Sequence, residues 1–155
     1  MAYDIGPLEG GGDIGSRRLL ALADHLESVD EMAYDHRTWR RRLGDGSWAM
    51  CALGHAVAAL PDVVGLRWGG PGDGGIVRLD GSGVTEDALI LAAEAFGLSD
   101  DEARMIFGVG LYTVAFYGAA GAFRVRPKAV AAAIRAFALA RLASCYPLGL
   151  ATATG

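Results

Sequence analysis

Thiols and imidazoles are scarce in this chain, and one of each sits close to the other. The stretch SWAMCALGHAVAAL, residues 47–60, carries Cys51 and His55, from a total of two cysteines and three histidines. On a helix, a spacing of four puts both side chains on one face. A thiolate activated by a neighbouring imidazole is a nucleophile for acyl or thiol transfer, so Cys51 and His55 are the candidate nucleophile and base. The same two residues could instead supply half of a zinc site. A third reading needs no chemistry: cysteine packs as a small hydrophobe, and a buried histidine needs only a hydrogen-bond partner.

The surroundings weigh against catalysis and metal. Thiol enzymes of the papain type place cysteine at a helix start and bring histidine from far downstream, but no histidine follows His55. Asp45 or Ser47 is expected to cap a helix running to Pro61, which would put Cys51 beyond the first turn, where the helix dipole fades. His25, His36 and Cys145 show no paired ligand spacing, so neither a metal nor another cofactor is expected. Met50, Leu53, Val57 and Leu60 form one stripe of that helix, and Trp48, Cys51, His55 and Ala59 form the other. An element without a polar face is buried on both sides, which makes it the expected central helix.

The only basic cluster is Arg37, Arg40, Arg41 and Arg42, in the aromatic and charged segment EMAYDHRTWRRRLGDG. Clustered guanidiniums suit bidentate contact with carboxylates or phosphates, so these residues are the candidate partner-binding set. The chain as a whole carries −4, from 18 acidic and 14 basic residues, and sets up no field to draw in nucleic acid. GLSDDEARMIF has the spacing of a DNA-binding helix-turn-helix, but Asp100, Asp101 and Glu102 stand where phosphate contacts would be needed. It is expected to be a helical hairpin. GGPGDGG has no lysine after it and is expected to be a turn.

The rest of the chain is expected to build a mainly α, compact single domain of about five helices with one small β-hairpin. Residues 1–15 are expected to form a flexible arm, 16–146 the domain and 147–155 a flexible tail. Ser16 is the expected cap of a first, ordinary amphipathic helix through Leu19, Leu22, Ala23, Leu26 and Val29. Residues 66–68 and 76–79 read as the hairpin. Thr85 is the expected cap of a helix ending at Phe96 and Gly97, Ser99 with Glu102 forms a capping box for the next, and Pro127 opens the longest, to Cys145. Residues 108–123 have no single period and are assigned no element. No apolar run reaches the ~20 residues of a membrane span. With few cysteines and no leader-like start, the chain is expected to be cytoplasmic.

The sequence resembles a group of small bacterial and phage proteins of unassigned function. The resemblance rests on CALGHA at Cys51–Ala56, GLSDDEARMIF at Gly97–Phe107 and RPKAVAAAI at Arg126–Ile134, and spans about two thirds of the chain. The glycine and threonine that often precede the cysteine in that group are missing. The group is commonly carried on mobile elements, so the resemblance implies an accessory or host-interaction role. The leading expectation is therefore a small protein-binding module, an inhibitor or adaptor of a protein partner. A thiol enzyme built on Cys51 and His55 comes second, and a nucleic-acid binder using Arg37–Arg42 third.

Overall fold

Leucines at helical spacing and an aspartate cap open the first helix. The computed structural model describes residues 13–70, 75–84, 86–108, 116–117 and 125–145. The first helix, α1, spans Ile14–Glu27 and buries Leu19, Leu22, Ala23 and Leu26 completely. Its cap is Asp13, whose carboxylate accepts from the Gly15 amide, and not Ser16, whose hydroxyl donates to that carboxylate. Gly15 explains the earlier start. A Cβ there would lie 2.0 Å from the Phe96 carbonyl oxygen, so only glycine lets α1 begin against the end of a neighbouring helix. The expected arm therefore ends sooner, and its remainder lies outside the described residues, as do the tail, Thr85 and most of 108–123.

After a 3-10 turn at Glu31–Ala33, strand β1, Arg41–Arg42, pairs antiparallel with β2, Trp48–Ala49, in the register Arg41↔Ala49 and Arg42↔Trp48. The helix expected from Ser47 is thus a strand at its start, and α2 covers only Ala52–Ala59. The turn explains the difference: Ser47 donates to Asp45, the Leu43 amide donates to the Ser47 carbonyl while the Leu43 carbonyl accepts from the Gly46 amide, and Gly46 sits at φ 88°. That chemistry closes a hairpin. Helix α2 is buried from Ala52 to Val57, while Ala58 and Ala59 are exposed.

A short helix α3, Pro61–Val64, ends at Gly65 and leads into β3, Leu66–Trp68, which pairs antiparallel with β4, Ile76–Arg78. This is the hairpin expected from sequence. Helices α4, Ala88–Phe96, and α5, Asp100–Phe107, pack as a hairpin closed by Gly97 at φ 62°, with the Ser99–Glu102 capping box present. Asp87 caps α4. The last helix, α6, spans Pro127–Cys145 as expected and lies antiparallel along α1, where Arg135 reaches Asp24 and Glu27 and Arg141 reaches Asp13.

The architecture is a mainly α single domain. Its core joins Leu53 of α2, Leu91 and Phe96 of α4, Ile106 and Phe107 of α5, and Val130 and Ile134 of α6 to the α1 leucines. Helix α1, which packs on α2, α4 and α6, shares the centre with the shorter α2. Among the described residues no helix is long and apolar enough to cross a membrane.

Candidate functional site

Cys51 is the N-cap residue of α2, not a residue beyond its first turn. The hairpin at 41–49 delivers it there: its amide donates to the Thr38 carbonyl at 2.9 Å, and its own carbonyl accepts the His55 amide at 2.9 Å. A helix start favours a thiolate. Burial opposes it more strongly. The residue is 1% exposed, and loss of solvent pushes the thiol up to about 11, although the Gly54 and Leu53 amides pull the other way.

His55 is equally committed. Its Nε2–H donates to the Ala33 carbonyl at 2.8 Å, its ring stacks on Tyr34 with centroids 6.0 Å apart, and burial lowers its pKa. Among the described residues no hydrogen bond joins the Cys51 thiol to this imidazole. A base has to be within reach of the proton it takes.

The fold instead gathers all three histidines into a row that the sequence reading missed, with His36 and His55 buried and His25 half-buried at its end. His25 lies 5.5 Å from His55, Tyr34 follows, then His36, then Tyr117 edge-on at 5.2 Å. Because the Gly108 carbonyl can only accept, His36 donates to it from Nε2 at 3.1 Å, leaving Nδ1 to accept from the Tyr34 hydroxyl at 2.8 Å. Burial lowers the pKa of His36 and His25 as well. The signal available in sequence was local: Tyr34 and His36 are two apart, as residues on one face of an extended segment are. Among the described residues no group of three or more potential ligands is placed to share a metal ion.

Along residues 40–42 the arginines divide by the two-residue alternation of an extended chain, and Arg37 stands in the turn before the ribbon. Arg37 and Arg41 converge on Asp35 at 3.0 and 3.1 Å; these hydrogen bonds, Arg37's first, hold the buried carboxyl down to about 2 against the cost of burial. Arg40 and Arg42 turn to the opposite side. The Arg40 guanidinium lies between the rings of Trp48 and Trp68, 4.8 and 4.2 Å from their centroids, and Arg42 covers Trp48 at 5.3 Å. Arg40 also donates to the Gly70 carbonyl at 2.8 Å, which ties the first ribbon to the second. Neither Arg40 nor Arg42 has a carboxylate partner among the described residues. The candidate basic cluster is thus two sites, one neutralised and one not. The two tryptophans are the part sequence did not supply, because Trp68 belongs to a different hairpin.

A cleft of about 300 Å³ opens between His36, Arg37, Thr38, Trp39, Leu89, Phe107 and Gly108. Three of its polar side chains are already engaged: His36 with Tyr34 and Gly108, Arg37 with Asp35, and Thr38 with the Arg40 carbonyl. Compared with protein-family models, with curated proteins and with solved structures, the chain matches none.

Proposed function

We propose that this protein is a small binding module that works by contacting a protein partner. The observation that carries the reading is the surface ladder Trp68–Arg40–Trp48–Arg42, held by the two ribbons. Tryptophan and arginine are the side chains that most often dominate binding energy at interfaces. Here they are fixed before any partner arrives, which removes part of the ordering cost of association. The resemblance to small mobile-element proteins points the same way.

The thiol-enzyme reading has one observation in its favour, the place of Cys51 at the start of α2. Against it stand a cysteine that is only 1% exposed and an imidazole already bound to the Ala33 carbonyl. The nucleic-acid reading is weaker, because the indole faces that would stack on bases are covered by guanidiniums.

The test is to express the tagged chain in cells of its source organism and to identify co-purifying proteins by mass spectrometry, alongside Arg42→Glu. A stoichiometric partner that the wild type retains and the variant loses supports the module. Absence of any partner, together with labelling of Cys51 by iodoacetamide within seconds, would make the thiol enzyme the better reading.

A further inference from the structure

We infer that the Arg40–Arg42 side of the first ribbon docks a carboxylate-rich, acidic segment of its partner. This rests on the binding-module reading and names the chemistry of what is bound. Three observations converge on it. The first is charge: among the described residues Arg40 and Arg42 have no carboxylate partner, as Arg17, Arg18 and Arg67 have none, and they are the described pair of such guanidiniums that lies over one indole, Trp48. In a chain of net charge −4, that sets two positive side chains together on one ribbon face.

The second is orientation. A guanidinium lying on an indole presents its flat face to the ring and leaves its N–H donors around the rim, in the plane where a carboxylate is received by two parallel bonds. Arg42 is exposed, and its side chain makes no hydrogen bond to another described residue. Arg40 gives one donor to Gly70, and its Nε is buried without a hydrogen-bond partner.

The third is what the ladder does not offer. A single-stranded polynucleotide would need open aromatic faces, and arginines occupy faces of both tryptophans. A duplex would need a broad basic field, whereas the neighbouring Arg37 and Arg41 are already tied to Asp35. A short acidic peptide needs only a few rim donors and an apolar bed beside them, and Trp48 and Trp68, each partly exposed, supply that bed.

The experiment is fluorescence anisotropy of fluorescein-labelled hexaglutamate titrated with the full chain, compared with a labelled random DNA duplex. The wild type is expected to bind the peptide saturably and more tightly than the duplex. Arg42→Gln should weaken the peptide about tenfold, and Arg42→Lys should also weaken it, since it keeps the charge but loses the planar rim. Arg17→Gln, an exposed arginine of α1, should change nothing. The inference is overturned if no saturable peptide binding occurs, if Arg17→Gln and Arg42→Gln weaken it equally, or if the duplex binds more tightly and depends on Arg42. If a co-purifying partner is lost with Arg42→Glu while hexaglutamate does not bind, the module reading stands and the acidic segment falls. Arg42-dependent peptide binding with no co-purifying protein leaves the acidic segment supported and the module reading in doubt.

Discussion

Gly54, the glycine of the CALGHA motif, is where one methyl group should have the largest effect. A Cβ at this position would lie 1.9 Å from the Trp39 carbonyl oxygen, 3.1 Å from its carbon and 2.8 Å from the Met50 Cβ. To reach even a 3.0 Å contact, the Trp39 peptide would have to retreat by about 1 Å. It cannot do so alone, because the preceding carbonyl, of Thr38, holds the Cys51 amide at 2.9 Å. Overpacking of this kind costs about 1–3 kcal/mol, and a rigid backbone obstacle puts Gly54→Ala near the upper end. Alanine returns about 1 kcal/mol through helix propensity. The expected net loss is about 2 kcal/mol, or roughly 4–8 °C in thermal midpoint for a domain of this size. Thermal unfolding followed by circular dichroism measures it, and the rate of Cys51 alkylation reports whether the Trp39 loop has lifted. A midpoint equal to or above that of the wild type would show that propensity outweighs the contact, and the close approach of loop and helix would be refuted.

Cys51 itself should alkylate slowly at neutral pH and far faster after unfolding, with the native rate rising only as pH approaches about 11; fast native labelling that falls on His55→Ala would overturn this. Cys51→Ala should cost about 1 kcal/mol and Cys51→Leu about 1–3 kcal/mol by overpacking, read from urea midpoints. Ser99→Ala should cost about 1 kcal/mol through loss of the capping box, and an unchanged midpoint would place the start of α5 elsewhere. His25, His36 and His55 all have pKa values lowered by burial from 6.5, so the folded state takes up protons less readily than the unfolded chain. Their contribution is complete above about pH 6.5 and is lost as pH falls below it, so the urea midpoint should drop as pH is lowered from about 6.5, and less so in His55→Gln.

Local signals were legible where they were sufficient in themselves. Gly97 ends α4 because its left-handed φ of 62° suits glycine, Ser99 and Glu102 bond reciprocally within one turn, and Pro127 opens α6 where no amide donor is needed. The segment from Ser47 failed for a definite reason. Its apolar residues leave no polar face, and without one the periods of strand and helix cannot be told apart, so the two strand residues before Cys51 were read as helix. The cap of α1 was misplaced because the reason for Gly15, the Phe96 carbonyl, lies far away in the chain.

By itself the sequence determined the mainly α class, the 66–79 hairpin, the α4–α5 pair and the long final helix, because capping, turn and propensity act over a few residues. Only the tertiary structure decided what Cys51, the histidines and the arginines are. Burial raises the Cys51 thiol and lowers the histidines, and burial is a property of packing. The separation of Arg41 from Arg40 and Arg42 follows from the extended ribbon, and the place of Arg40 from Trp68, which arrives from another hairpin. Contacts between residues distant in sequence leave no period or spacing to read, so the character of the site could not be seen before the chain was folded.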